Sequence, residues 1–412
     1  MKTISFNNVT KNIFMLYGLS AAKIIFPLLT LPYLTRVLSV DAYGIVAYVK
    51  AVMQYMQLTV DFGFMLSGTK DIVNARLDKN KLEKEVGDIF LARIILALLA
   101  LVVLLLMILI MPILKNNAGY TLLSFFTVFL SIFLFDYFFQ GIEKMHVLTI
   151  RFVLMRGLAT VLTILFVHSD ADLMLIPLFD VLGSVIAVIL VFYQLKKEQI
   201  HIKFTSFRIA TKKLKDSFVY FASNMATTAF DALNILLIGA FLPVMEVAYW
   251  SVSMQLIGGI QIMYSPIIGG IYPNMIKTKS FSFIKRLLCI SMPIIIFGSI
   301  FSYFVAPYVL LIVGGEQYIE AQGLFRALLP VLIFSFPAMV LGWPTLGALE
   351  KAKQVTMTTI LSALFQLGSL LFLLGIGYFS VLWIAASRCL TEFLLMLSRS
   401  WFCHKYKNEF NE

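Results

Sequence analysis

Unbroken apolar runs of about twenty residues, recurring from one end of the sequence to the other, constrain this chain more than any other feature. Phe90–Met111, Leu122–Phe139, Leu173–Leu195, Leu287–Val313 and Val355–Ile376 are such runs. Each is as long as a helix must be to cross the hydrocarbon of a bilayer. In lipid the backbone has no water to bond, so each span must close its own hydrogen bonds as a helix, and the alternation that marks a membrane β-barrel is absent. Composition agrees. Of 412 residues, 60% are hydrophobic and 13% charged, against roughly 25% charged in a soluble domain. Mean hydropathy is +0.91.

The pattern predicts an all-α integral membrane protein of about twelve transmembrane helices. They are placed near 12–35, 42–66, 87–112, 120–139, 147–168, 173–195, 217–242, 247–273, 286–313, 321–347, 354–376 and 380–402. The first apolar run, Ile13–Leu34, is too long for a signal-peptide core and reads as a retained helix.

Charge then sets the topology. Lys70, Arg76, Lys79, Lys81 and Lys84 follow the second span. Lys196, Lys197, Lys203, Arg208, Lys212, Lys213 and Lys215 fill the segment after the sixth, and Lys277, Lys279, Lys285 and Arg286 follow the eighth. The opposite side holds little beyond Arg36 and Lys115. Positive residues stay on the cytoplasmic side, which predicts that both termini and the central segment are cytoplasmic. The net charge of +11 therefore needs no nucleic-acid partner. The basic loops are topology determinants first and a surface for anionic lipid second.

Twelve spans divide into a six-helix lobe at 1–195, a basic linker at 196–216, a second six-helix lobe at 217–402 and a tail at 403–412. A short internal echo supports the division: Leu38-Ser-Val-Asp-Ala-Tyr43 after the first span and Leu242-Pro-Val-Met-Glu-Val-Ala-Tyr249 after the seventh. Repeats offset by an even number of spans share orientation, the plan of transporters with a central site.

Intramembrane polar residues are costly and mark function by default. In the second span Lys50, Gln54, Gln57 and Asp61 recur at spacings of four, three and four, which puts them on one helical face. The seventh carries Ser217, Tyr220, Asn224, Thr227 or Thr228, and Asp231. The fifth aligns Thr149, Arg156, Thr160 and Thr163. The first sets Lys23 near mid-span, with Ser20, Pro27 and Thr30 on its face. Lys23, Lys50 and Arg156 are the expected cationic cavity for a diphosphate, since arginine donates as a fork and lysine acts as a point charge. Gln54, Gln57, Thr160 and Asn224 are its expected polar lining. Asp61 and Asp231 are candidates for ion coupling. Arg388 and Glu392, four apart, read as a self-neutralising pair. Asp136, Arg93, Arg151 and Arg326 read as interfacial anchors, and Asp180 has only Ser184 beside it. Pro330, Pro337 and Pro344 mark bends in the tenth span, and Gly258-Gly259 and Gly269-Gly270 loosen the eighth.

Cys289, Cys389 and Cys403 have no metal or redox spacing. His146, His168, His201 and His404 are scattered, and no phosphate-binding loop is present. No metal and no cofactor are expected.

The quoted segments carry a family resemblance. Phe26-Pro-Leu-Leu-Thr-Leu-Pro-Tyr-Leu-Thr-Arg-Val-Leu38, followed by Tyr43-Gly44, resembles the first-helix signature of the polysaccharide-biosynthesis flippases. Asp61-Phe-Gly-Phe64 with Ser67-Gly-Thr69, Tyr137-Phe-Phe-Gln-Gly-Ile-Glu-Lys-Met145 and Val247-Ala-Tyr-Trp-Ser251 are similar to later marks of that family. The resemblance implies a flippase of O-antigen or capsule repeat units, MATE-like in fold, within the multidrug/oligosaccharidyl-lipid/polysaccharide exporter superfamily. It implies an undecaprenyl-pyrophosphate oligosaccharide as substrate, the inner membrane as location, proton or sodium antiport as a source of drive, and polymerase and chain-length proteins as partners. Where many relatives have a charged pair early in the eighth helix, this chain has Met254 and Gln255. Two other functions are weighed against it. A cation-coupled multidrug exporter of the same superfamily calls for an acidic, aromatic pocket, and the intramembrane lysines oppose that. A polysaccharide polymerase or ligase calls for a large external loop, and every loop here is short.

Overall fold

The computed structural model describes the backbone of residues 6–411. It describes the side chains of residues 15–411 apart from those of 223, 226–231, 265, 266, 269 and 273. The described residues are helical almost throughout, and their one β feature is an isolated bridge between Ser280 and Asn411. Nine of the described helices are long and apolar enough to span a bilayer. The chain is thus an all-helical, multi-pass membrane protein. It resolves into two compact units, Met1–Met225 and Ala226–Glu412.

The first unit holds α1 (Phe6–Val37), α2 (Val40–Asp61), α3 (Phe64–Ala75), α4 (Lys79–Ile110), α5 (Pro112–Asn116), α6 (Ala118–Leu130), α7 (Asp136–Gly141), α8 (Met145–Phe166), α9 (Leu175–Lys197) and the start of α10 (Phe207–Phe241). Local chemistry sets several starts. The Ser39 hydroxyl accepts from the Ala42 N–H at the head of α2, and Asp78 accepts from the Asn80 and Lys81 N–H groups at the head of α4. These side chains satisfy donors that have no partner inside the helix. Helix α4 buries Ala92, Leu96, Ala100 and Leu104, one residue per turn, and turns Leu98, Leu99, Val102 and Leu106 outward. The small residues let a neighbouring helix approach, and the outward leucines face lipid.

Several expected spans differ in detail. The second does not run to 66 but stops at Asp61, where Phe62 and Gly63 both take left-handed backbone. A Cβ on Gly63 would lie 2.6 Å from the Tyr220 Cβ and 2.9 Å from the Phe221 nitrogen, so only glycine lets α10 cross this close. The fourth breaks into α6, a tight turn at Ser131–Leu134, and α7. Phe135 at that break has φ 47° and is fully buried among Phe90, Tyr137 and Phe192. The seventh starts ten residues before 217, because the charged stretch after Phe207 continues the helix beyond the apolar run. The eighth divides into α11 (Val244–Ile262) and α12 (Ser265–Thr278), where Pro266 supplies no N–H to continue the ladder.

The segment leading into α10 and the first turns of α10 itself are fastened to α3 and α4 by carboxylates. Lys203 pairs with Glu83 at 2.7 Å, and Glu83 also accepts from the His201 N–H. Asp88 accepts from the Thr205 N–H and hydroxyl. Lys213 bridges Asp71 at 2.6 Å and Glu85 at 2.5 Å. Close to these contacts, Gly87 meets the Lys203 carbonyl so tightly that a Cβ would sit 2.1 Å from it.

The second unit continues with α13 (Phe281–Gly314), α14 (Gln322–Leu328), α15 (Pro330–Val340), α16 (Ala352–Gly375) and α17 (Val381–Lys405). Its core includes Tyr264, Phe336, Leu341, Leu346 and Phe402. After α15 the chain enters a π-helical turn, Leu341–Gly347, in which Gly342 has non-helical ψ −120° and Pro344 withholds a donor. Deeper in the unit, the Gln366 amide donates to Asn234, and the Thr391 hydroxyl donates to Gln366. Arg388 and Glu392 form the expected within-helix pair at 2.9 Å, both buried.

Candidate functional site: a cationic cavity in the first unit

The polar residues singled out on three different spans converge. A cavity of about 490 Å³ lies within the first unit among α1, α2, α6, α8 and α9, inside the range of small-molecule sites. Lys23 reaches it from α1, Lys50, Gln54 and Gln57 from α2, and Arg156 and Thr160 from α8. The lining of α2 follows its spacing. Lys50 and Gln54 are exposed while their neighbours Tyr48, Val49, Ala51 and Val52 are buried, so the helix is covered except where its stripe opens onto the cavity.

Each cation is positioned by its helix. On α1, Pro27 offers no N–H to the Lys23 carbonyl one turn earlier, and both residues line the cavity. The Lys23 Nζ lies 5.9 Å from the Phe152 ring centre, within cation–π range. Phe152 is one turn before Arg156 on α8, so Lys23 and Arg156 share a wall. The Arg156 Nη1 donates to Asp180 Oδ1 on α9 at 2.8 Å, and Lys50 lines the same cavity.

Asp180 is the residue sequence reasoning left unassigned. A lone carboxylate on an apolar helix signals a partner, but the partner sits on another helix and sequence spacing does not name it. The α6 wall, Tyr120, Ser124 and Thr127, was also missed. Its spacing of four and three is the same signal that marked α2.

Other expected site residues lie elsewhere. Asp61 ends α2 and accepts from Arg93 Nη2 at 2.7 Å, outside the set of lining residues, as is Asn224 on α10. The side chain of Asp231 lies outside the described residues. Arg93 and Arg151, expected as interfacial anchors, are instead 4% and 6% exposed. Each takes a carboxylate across helices: Arg93 takes Asp61, and Arg151 takes Asp136 at 2.7 Å. Such a carboxylate offsets part of the cost of burying each guanidinium. Arg93 also donates to the Val60 and Ile132 carbonyls, beside the two helix breaks of this unit. Arg326 donates to the Tyr303 carbonyl and stacks on that ring at 4.8 Å.

A charged cavity within a helical multi-pass fold is a place where a polar ligand can be held inside the membrane. Solved structures share this fold. A multidrug resistance MATE-family transporter of the MOP superfamily matches with a TM-score of 0.67 at 14% identity, over 96% of this chain and 98% of that one. The lipid II flippase MurJ matches with a TM-score of 0.71 at 11% identity, over 95% and 87%. In sequence, residues 9–279 match the family model described as "Polysaccharide biosynthesis protein", and the chain belongs to that family. A Shigella dysenteriae protein named "Putative O-antigen transporter" is 25% identical over 94% of this chain and 98% of its own length. An Escherichia coli K12 protein of the same name is 25% identical over 69% and 68%.

Proposed function

We propose that this protein flips an undecaprenyl-pyrophosphate-linked oligosaccharide, an O-antigen or similar repeat unit, from the cytoplasmic to the periplasmic leaflet of the bacterial inner membrane. The observation that carries this reading is the convergence of Lys23, Lys50 and Arg156 on one cavity of about 490 Å³. A diphosphate diester carries two negative charges and many acceptor oxygens. Two ammonium groups and a guanidinium supply matching charge and donors. Gln54, Gln57, Thr160, Ser124 and Thr127 add neutral groups of the kind that bond sugar hydroxyls. The names of the two relatives and the family membership support the same substrate class.

In the mechanism, the diphosphate and sugars enter the polar cavity while the polyprenyl tail stays in lipid. Access then alternates from one side of the membrane to the other. An inside-negative potential favours outward movement of the anionic head, by about 2.3 kcal/mol per charge per 100 mV. Antiport of protons or sodium through Asp61 or Asp231 can add to that drive. The multidrug-exporter alternative fits poorly, because a cavity with three cationic side chains repels organic cations.

The test is flipping of a fluorescent lipid-diphosphate oligosaccharide in proteoliposomes by the Lys23→Ala, Lys50→Ala, Arg156→Gln triple variant. A stable, correctly inserted triple variant is expected to lose flipping. Wild-type flipping by that variant would sink the reading.

A further inference from the structure

Among the described residues lining the cavity, Lys23, Lys50 and Arg156 are the cations and Asp180 is the carboxylate. The lining is thus two charges positive, the complement of a diphosphate diester. The pair of Arg156 with Asp180 also differs from the pair of Arg93 with Asp61, in which the guanidinium is buried. The guanidinium of Arg93 is 5% exposed and further bonded to two backbone carbonyls, whereas the Arg156 and Asp180 side chains are 42% and 34% exposed on the cavity wall. A ligand cannot reach the Arg93 guanidinium without disturbing its surroundings, but it reaches that of Arg156 by entering the cavity.

The helices that carry Arg156 and Asp180 are held at fixed distance. A Cβ on Gly183 would lie 2.4 Å from the Met155 carbonyl oxygen, so α8 and α9 touch next to Arg156 and about one turn from Asp180. The Ser184 hydroxyl donates to the Asp180 carbonyl at 2.8 Å. The two side chains therefore stay within reach of each other whether or not the cavity is filled.

We propose that Asp180 is a displaceable counter-anion for the substrate's phosphate. It holds Arg156 while the cavity is empty, yields the guanidinium to an incoming phosphate oxygen, and reclaims it as the phosphate leaves. This deepens the function proposed above and rests on it. Asp180 acts through Arg156 and is a positioning residue: it weakens anion binding so that release is fast. A merely structural carboxylate would do the opposite, because its loss would loosen the site.

The sign of the effect is the test. Farnesyl diphosphate serves as probe, titrated calorimetrically into the full-length protein in detergent. Asp180→Asn is expected to bind about tenfold tighter than wild type, the order given by one charge a few ångström away, yet to flip a lipid-diphosphate oligosaccharide more slowly in proteoliposomes. Asp180→Glu is expected to restore wild-type affinity. In an Arg156→Gln background the gain from Asp180→Asn is expected to shrink, because only the direct repulsion of the probe by Asp180 is then removed. Unchanged or weaker binding by Asp180→Asn, or by Asp180→Ser if the first variant does not fold, overturns the counter-anion. A gain that persists at full size with Arg156→Gln overturns the route through Arg156. If Lys50→Ala binds the probe as well as wild type does, the cationic cavity itself fails and takes this inference with it. Loss of binding in Lys50→Ala without the Asp180 gain removes the counter-anion alone.

Discussion

The Arg399 Nη1 donates to the Ala338 carbonyl at 2.7 Å, across the point where α15 gives way to the π-helical turn at Gly342. The same guanidinium donates to the Thr359 hydroxyl at 3.0 Å and the Thr358 hydroxyl at 3.4 Å. Irregular backbone at membrane depth survives only where another group takes the freed carbonyls. The charge on α17 therefore makes the bend possible, whereas the prolines alone would leave carbonyls without donors. Replacing Arg399 with Met is expected to cost about 1–3 kcal/mol for each buried acceptor left unsatisfied. It would appear as a lowered Tm in detergent. Arg399→Lys keeps the charge but loses the planar fork and is expected to fall between. Gly342→Ala places a Cβ 2.8 Å from Arg399 Nη1 and is expected to lower Tm by displacing the guanidinium.

The pair of Arg93 with Asp61 plays the matching part in the first unit. Arg93 is the buried member, so removing Asp61 leaves a cation with only the long bonds to Val60 and Ile132. Asp61→Ala is expected to destabilise by about 2–3 kcal/mol, below the 3–5 of a fully buried pair, because Asp61 is 45% exposed. The double variant Asp61→Asn, Arg93→Gln is expected to cost less than the sum of the single changes. If Asp61 also couples ions, that double variant, once shown to be folded, will flip substrate without the wild-type dependence on a proton or sodium gradient. Transport assays with each gradient imposed in turn check this.

Gly63 is where α10 rests on the break between α2 and α3. Gly63→Val combines a left-handed backbone, at φ 78°, with a clash against Tyr220 and the Phe221 nitrogen. The φ penalty alone is about 1–2 kcal/mol, and backbone cannot move aside as a side chain can. The Ser67 and Ser217 hydroxyls lie 2.7 Å apart beside this contact. A Ser67→Cys, Ser217→Cys protein is expected to cross-link readily under oxidation, and Gly63→Val in that background is expected to abolish cross-linking. Undiminished cross-linking would show that the glycine is not what admits α10.

The segment ahead of α10 gives a protease test. Glu83 is 2% exposed and accepts from both Lys203 and the His201 N–H. Glu83→Gln removes the charge, and Gly87→Ala drives a Cβ into the Lys203 carbonyl. Both are expected to speed tryptic cleavage after Lys203 several-fold relative to wild type, since cleavage requires this backbone to detach from α4. Equal rates would mean that the carboxylates do not hold the segment.

Much of this protein was legible before any fold was known. Hydrophobic runs placed the helices because a span must be apolar over a fixed length, whatever it packs against. α8, for instance, covers Met145–Phe166 where 147–168 was expected. The 4-3-4 spacing of Lys50, Gln54, Gln57 and Asp61 located one wall of the cavity because a helix converts spacing directly into a face. That rule held for three of the four: the backbone turns left-handed just after Asp61, and its carboxylate goes to Arg93. The rule reads a face but not what stands opposite it. Pairings such as Arg156 with Asp180, Arg93 with Asp61 and Arg399 with the Ala338 carbonyl join residues far apart in the chain, and no local period encodes them. The helix breaks at Gly63 and Phe135 were hidden for the same reason, since each depends on a side chain or helix arriving from elsewhere, whereas Pro344 marked the bend at Gly342 in advance. Sequence alone determined that the chain crosses a membrane and carries cations where lipid would reject them. Tertiary structure decided which of those cations are locked into pairs with backbone and carboxylate and which face open space, because burial and charge compensation exist only once the helices have packed.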